Sequence, residues 1–434
     1  MAVAGAELNS PSNLRRERLV VLILAAVQFT TIVDFMIVMP LGPQLMRTLG
    51  INPSQFGTIV SSYTFAAGAA GLVASSIVDR FARRTTFMVL NAGFLIGTLC
   101  CGLAPSYFWL VVARIVTGAF GGIIGGMSMA IIGDVFPEER RGRATGSLMT
   151  GFAIASVAGV PLGQYLGTEY GWHIPFFVLA AAGVPALLLT PAALPPLDAH
   201  VGKSHDHPLR SLAETFTHSN HIRAFTLIVT LMIGSFTVFP YLSPYLVSNV
   251  GLSEKELSLA YLAGGALTLL TAPVVGRLAD RFGKLAVYRV IAPFSMVLLV
   301  VITHLPRVPM IVALAVFGGL MMCNVGRMIP AMAMVTSSVE PRRRGGFLSA
   351  NSSVQHVASG IGAFLGGKIV SQNPGEPLQH FGTVGWIAAG ATLVSLWLAG
   401  RLRVADGAPV SAEEISLPAA AEAAVDAGEP MIGA

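Results

Sequence analysis

The sequence predicts an all-α integral membrane protein of about twelve transmembrane helices in two groups of six, on three observations. Hydrophobic residues make up 54% of the 434 positions and charged residues only 11%, with a mean hydropathy of +0.71. Soluble domains carry roughly a quarter charged residues, so lipid must solvate most of this surface. Uncharged apolar stretches of about 20 residues, enough to cross a hydrocarbon core of about 30 Å, begin near Leu19, Gln55, Phe87, Phe108, Thr145 and Trp172, and again near Ile222, Glu256, Ala286, Val308, Gly346 and His380. Between the groups lies a polar, His-bearing stretch from about Leu194 to Asn220.

The 26 Pro and 47 Gly do not argue against helices, because neighbouring helices and local backbone adjustments satisfy the groups these residues free in a membrane. A lipid-facing barrel would alternate apolar and polar residues in segments of about ten, whereas Val111 to Ile132 is apolar on every face apart from Arg114. Cys100, Cys101 and Cys323 all lie inside spans, two of them adjacent, so neither a disulfide framework nor a metal-ligand spacing exists; they are read as packing residues, and no metal or cofactor is expected. The first span follows Arg15, Arg16 and Arg18 as a signal sequence would, but its apolar run is too long and no small-residue cleavage pattern follows. It is therefore expected to remain as a helix.

Basic residues in short loops mark the cytoplasmic side. Those around Arg15, Arg80, Arg140, Lys203, Arg281, Arg343 and Arg403 fall on one side, Arg47, Lys255, Arg307 and Lys368 on the other, and Arg114 and Arg327 within spans. Both termini are thus expected in the cytoplasm. The +5 formal charge and a pI near 9.3 are this topology signal and its contacts with anionic lipid, not a nucleic-acid surface. The domain boundaries that follow are a cytoplasmic segment at 1–18, a six-helix domain at 19–195, a linker at 196–221, a second six-helix domain at 222–403, and a tail at 404–434, alanine-rich, acidic and expected to be disordered.

Aligning the two groups exposes an internal duplication. Gly50 precedes Ile51-Asn52-Pro53, and Gly251 precedes Leu252-Ser253-Glu254. Each opens a helix with a cap: Asn52 with Pro53 at the first helical position, and Ser253 with Glu256 as a capping box. The displacement from Gly50 to Gly251 also carries Asp79-Arg80-Phe81 onto Asp280-Arg281-Phe282, and a slightly longer one carries Pro137, Arg140 and Gly142 onto Pro341, Arg344 and Gly346.

These repeated residues carry a family resemblance. Gly276-Arg277-Leu278-Ala279-Asp280-Arg281-Phe282-Gly283-Lys284 resembles the G-x-L-A-D-R-x-G-R/K signature of the major facilitator superfamily, after the eighth span, and Ser75 through Arg84 is a second copy after the second span. That copy has Ser75 and Ala82 in place of the two glycines but keeps Asp79, Arg80, Arg83 and Arg84. The resemblance covers about residues 19 to 403. It implies two pseudo-symmetric six-helix bundles with a substrate site between them, alternating access, a monomer, and a bacterial inner-membrane location. Physically the motif is a charged cytoplasmic hinge, in which Asp79 meets the start of a helix of the other half and a carboxylate there is favoured by about 0.3–1 kcal/mol. The alternative is that Asp79 and Asp280 only help to set topology.

Two further elements resemble those of proton-coupled exporters in the family. Arg114-Ile115-Val116-Thr117-Gly118 in the fourth span is similar to the R-x-x-x-G element associated with proton coupling, and Gly159-Val160-Pro161-Leu162-Gly163 in the fifth to the antiporter Gly-Pro motif of bacterial drug- and sugar-efflux permeases; the matching place at Leu365-Gly366-Gly367 lacks the proline. Ordinary close packing of small residues is the other reading of the fifth-span motif. Asp34 is the only acidic residue deep within the first six spans. It lies about ten residues, or ~15 Å, from the outer end of the first span, and Arg114 about six residues, or ~9 Å, from that of the fourth, so the two can interact. Asp34 with Arg114 is therefore either the proton-coupling pair or a structural salt bridge.

Arg327, in Gly326-Arg327-Met328-Ile329-Pro330, resembles an element of the same permeases. It is read as a cavity residue facing a polar or anionic substrate, or as a packing residue. Phe35, Met39, Phe236, Tyr241 and Met322 would suit a cavity for apolar ligands, or they face lipid as such residues do on helices this apolar. Gln355 and His356 are polar within the membrane and are placed with the cavity residues; His356 either titrates or serves as a hydrogen-bonded structural histidine. The expected function is export of small molecules, drug-like or sugar-like, in exchange for protons, with a facilitator or proton-symporting importer on the same fold as the alternative. A channel is disfavoured because nothing resembles a selectivity filter, and an enzyme because no nucleophile–base pair, metal cluster or phosphate loop stands among the cytoplasmic residues.

Overall fold

A computed structural model of the chain describes residues 11–77, 80–195, 197–198, 215–340, 344–373 and 376–405. Among them helices supply all the regular structure apart from an isolated bridge between Ser371 and Gln379. The first six spans are Pro11–Ile37, Pro53–Ile77, Arg83–Leu103, Tyr107–Val135, Glu138–Tyr170 and Ile174–Ala193, and the second six are Ser219–Val250, Glu254–Phe282, Lys284–Thr303, Met310–Ser337, Arg344–Ile369 and Phe381–Ala399. Eleven are both long and apolar enough to cross a bilayer. The eleventh in order, Arg344–Ile369, has the length at 26 residues but carries Asn351, Gln355, His356 and four serines. Its polarity has a physical reason: it packs closely on the second and seventh spans, so protein rather than lipid surrounds much of it. Most of the expected linker and almost all of the tail lie outside the described residues, as does Asp79.

The caps form as their residues dictate. Asn52 Oδ1 accepts from Gln55 N at 2.9 Å and Gln55 Oε1 from Asn52 N at 3.0 Å, a reciprocal box that mirrors the one between Ser253 and Glu256 in the eighth span. Before each box the chain leaves the preceding helix through a glycine in the left-handed region, Gly50 at φ 62° and Gly251 at φ 92°, which a side chain would strain. A further echo lies at the arginine-rich face, where Arg141 Nε donates to Phe136 O at 2.9 Å and Arg344 Nε to Val339 O at 3.2 Å. By these contacts the counterpart of Arg344 is Arg141, one position from the Arg140 that sequence alignment selects.

The opening span of each half breaks. Pro40 has no amide proton and disfavours helix at the residue before it, so the first helix ends at Ile37, turns through residues 38–41 and resumes as Gly42–Leu49. The seventh breaks likewise after Phe236 and resumes at Phe239, beside Pro240. Asp34, expected about ten residues from the outer end of the first span, therefore lies within one turn of a helix end.

The halves meet unevenly. On the face opposite the arginines, Gly42–Leu49 packs on Phe239–Tyr245, and the eighth span packs on Ala155–Gly159 and Val160–Tyr170 of the fifth; no comparable packing joins the eighth span to Glu138–Ile154. Gly265 marks the crossing, where a Cβ would lie 2.8 Å from Ser156 O. Two ion pairs bridge the halves on that same far face, Arg47 to Glu254 at 2.8 Å and Lys255 to Glu169 at 2.9 Å. The far face is therefore closed, and the fifth and eighth spans part toward the arginine-rich face.

Candidate functional site

The break in the first helix places Asp34 at a helix C-terminus, where carbonyls lose their intrahelical donors. Arg114 reaches in from the fourth span. Its Nη1 donates to Asp34 Oδ2 at 2.7 Å and to Asp34 O at 3.2 Å, and Thr98 Oγ1 donates to Asp34 Oδ1 at 3.1 Å. The cation thus meets a carboxylate and the negative end of a helix dipole together. Both residues are 0% exposed, and in such surroundings an ion pair survives only with good geometry and further hydrogen bonds. The guanidinium carbon also lies 4.3 Å from the centroid of the Tyr63 ring, a cation–π contact, while Arg114 Nε has no hydrogen-bond partner.

Small residues make this closeness possible. Gly118, one turn beyond Arg114, lies against the Tyr63 carbonyl, where a Cβ would overlap the second-span backbone. Gly159 and Gly163 of the fifth span receive Val33 and Ile37 of the first, with a Cβ at Gly163 only 2.6 Å from Ile37 Cδ1, and buried Pro161 lies between them. The fifth-span motif is therefore a socket for the stretch of the first helix that carries Asp34.

Aromatic rings lead from the pair into the other half. Tyr63 lies 5.3 Å from Phe35 between ring centroids, and Phe35 lies 5.9 Å from Phe236 of the seventh span. Met39 is buried in the turn that follows Asp34. Tyr241 is buried on the far face, its phenol donating to Ala363 O. Met322 is partly exposed on the tenth span. Gln355 points its amide at Met332 Sδ at 3.9 Å. His356 is half-buried on the helical stripe it shares with the exposed Gly345, Ser349 and Ser352, a stripe that runs from the arginine-rich face. Arg327 is enclosed, 1% exposed, on hydroxyl and amide partners.

The two hinge copies differ in their contacts. In the first, Arg80 is exposed, Arg84 half-buried, and Arg83 Nε bonds Asp134 Oδ2 at 2.7 Å at the end of the fourth span. In the second, Asp280 and Arg281 are exposed and Gly276 half-buried, Gly283 takes φ 83°, and Lys284 Nζ donates to Ser337 Oγ at 2.7 Å. The sequence places Asp134 near the end of the fourth span but does not pair it with Arg83. Sequence reasoning missed Thr98 and Tyr63, which look like ordinary span residues until the fold turns them toward Asp34. Among the described residues no group of acidic, histidine and cysteine side chains could hold a metal ion.

Comparison with known proteins agrees with this architecture. The Major Facilitator Superfamily model matches residues 24–241 and again 224–427, so each half carries its own match. An uncharacterized MFS-type transporter of Bacillus subtilis, YceJ, is 25% identical over 376 residues, covering 86% of this chain and 93% of its own. The inner membrane transport protein YdhP of Escherichia coli O157:H7 is 23% identical over 372 residues, covering 83% and 91%. In fold the chain is similar to a bacterial homologue of the human lysosomal transporter Spinster, in an inward-facing, unoccupied conformation, with a TM-score of 0.71 at 15% identity over 90% of this chain and 99% of that one. A peptide transporter crystallised with alafosfalin gives a TM-score of 0.68 at 15% identity over 88% and 94%. With two six-helix bundles and a family match in each, this chain is a multi-pass membrane transporter and belongs to the Major Facilitator Superfamily.

Proposed function

We propose that the protein exports small molecules in exchange for protons, with Asp34 as the proton-carrying group and Arg114 as its partner. The observation that carries the reading is the enclosure of this ion pair at a helix break, with Tyr63, Phe35 and Phe236 leading from it into the other half. Protonating Asp34 removes the charge that holds Arg114, which keeps the Asp34 backbone carbonyl, the Tyr63 face and at most a weaker hydrogen bond to the neutral carboxyl. Because Tyr63 also touches Gly118 and Phe35, a change at the pair bears on the contact between the halves. The arginine-rich face is taken as cytoplasmic, which makes the described conformation inward-facing. The hinge copies are taken to close that face, with Asp79 and Asp280 as their acidic members.

A strain lacking the gene, challenged with a panel of toxic compounds and metabolites, supplies a substrate. In proteoliposomes an imposed proton gradient then drives that substrate against the direction of proton flow, and a protonophore abolishes the movement. Uptake in the direction of proton flow would assign symport instead.

The orientation is tested separately. Reporter fusions in the loop near Lys203 and after Arg403 both report cytoplasm, and a periplasmic signal at either reverses the assignment. The far-face ion pairs make a third expectation. Arg47 is largely exposed, and exposed pairs contribute about 0.2–1 kcal/mol, so loss of the pair opens the far face by up to about fivefold and the like charges in Glu254→Arg add to that. Arg47→Glu in the same chain restores the parent, as read by labelling of Met39→Cys in a cysteine-free background. An unchanged labelling rate in Glu254→Arg rejects the pair as a latch.

A further inference from the structure

The second half holds a similar contact built from a different position: the displacement of the duplication carries Arg114 onto Ala315, and Arg327 lies about three turns further along the tenth span. The displacement that relates Gly50 to Gly251 relates Asp34 to Ser235, and both sit within a turn of the break in their span. Arg327 reaches Ser235 as Arg114 reaches Asp34. Its Nη2 donates to Ser235 Oγ at 2.8 Å and to Asn324 Oδ1 at 3.2 Å, and its Nη1 to Thr392 Oγ1 at 2.8 Å. No ion pair reaches it among the described residues, and its Nε is buried without a partner. A guanidinium at membrane depth balanced only by neutral groups is costly and calls for a counter-charge.

Asn324 shows where that counter-charge would enter. It is half-buried and shares a face of the tenth helix with the half-buried Met321 and Met332. Met321 packs at Gly264 of the eighth span and Met332 meets Gln355 of the eleventh, so this face looks into the space between those spans. Its Oδ1 is turned inward to Arg327 and Ser235. The amide therefore stands between the guanidinium and the interior of the transporter.

We propose that Asn324 and Arg327 form a subsite for an anionic group of carboxylate size on the transported molecule, supplying in the second half the negative charge that Asp34 supplies in the first. The proposal rests on the transporter reading and not on the coupling of transport to protons. Rotation of the Asn324 side chain presents its amide nitrogen and one guanidinium edge to the ligand, and the substrate class is then organic acids in preference to their neutral isosteres.

The test is thermal unfolding of the purified full chain in detergent with matched pairs: salicylate and salicylamide, benzoate and benzamide, decanoate and decanamide, gluconate and glucose, with chloride alone as the inorganic arm. At least one acid is expected to stabilise the parent at a concentration tenfold or more below its neutral partner. Ser235→Asp places a carboxylate on Arg327 from within and removes that preference, whereas the neutral, similarly sized Ser235→Asn keeps it. The subsite is rejected if no acid is distinguished from its partner, if Ser235→Asp keeps the full preference, or if chloride alone saturates the effect. Proton release triggered by a neutral compound in the same preparation leaves the exchange reading standing when the subsite fails.

Discussion

Asp34→Asn is expected to abolish substrate-induced proton release while the protein still inserts, folds and binds substrate. Asparagine keeps the volume, and its one amide oxygen can still accept from Arg114 Nη1 while its amide nitrogen donates to Thr98 Oγ1, the two partners that hold Asp34 at 2.7 Å and 3.1 Å. What it cannot do is change charge. Losing one member of a buried pair typically costs about 3–5 kcal/mol, and the retained hydrogen bonds and the Tyr63 face offset part of that, so a lower melting temperature accompanies a folded protein. The measurement is dye-reported proton release from purified protein on substrate addition, with size-exclusion profiles to establish folding and Asp34→Glu to restore an ionisable group. A purely structural salt bridge would lower stability and leave the stoichiometry of release intact in whatever protein remains folded. Release at the parent stoichiometry in Asp34→Asn moves the coupling site elsewhere. His356→Asn is then the next variant, because that histidine lies half-buried on the stripe open to the arginine-rich face.

How far the sequence reveals the site depends on the range of the physics involved. Span number, caps and the duplicated loops are local or periodic, and Asn52, Ser253, Gly50 and Gly251 announce themselves by residue type alone. The pairing of Asp34 with Arg114 was legible for a different reason: charges at membrane depth are so costly that each implies a partner. The break at residues 38–41 is foreshadowed by Pro40, but proline alone does not announce a break because membrane helices tolerate it. Thr98 and Tyr63 were out of reach, since which face of a neutral span residue meets which neighbour is decided by helix packing and not by local pattern. The eleventh span carries the same lesson inverted. It counts among the apolar stretches from near Gly346, yet it is less apolar than the other eleven, and its contacts with the second and seventh spans account for that.

Gly57→Val is expected to shift the transporter away from the closed far face by about ten- to a hundredfold. Gly57 lies where the second span crosses the eleventh. A Cβ there would meet the Tyr241 phenol and the Ala363 carbonyl oxygen, the latter at 2.8 Å, with Gly367 Cα at 3.4 Å. The phenol could swing aside, but it is tied to Ala363 O by its hydrogen bond. The carbonyl belongs to helix backbone and moves only if the whole eleventh span moves. Overpacking of this kind costs roughly 1–3 kcal/mol, and each 1.4 kcal/mol is a tenfold change in population. The cost falls on the conformation with the seam closed, because parting the halves on the far face separates Gly57 from Tyr241 and Ala363 together. In a background lacking Cys100, Cys101 and Cys323, Met39→Cys in the buried far-side turn is expected to label faster with Gly57→Val, while Leu22→Cys, exposed in a pocket between the first and fifth spans on the arginine-rich side, labels more slowly. Gly57→Ala, with a single methyl, gives the smaller shift of the same sign and stands in where the valine variant does not fold. Equal labelling at both probes in a folded Gly57 variant would mean that the seam between the second and eleventh spans stays closed throughout, and the halves would then have to rock about it.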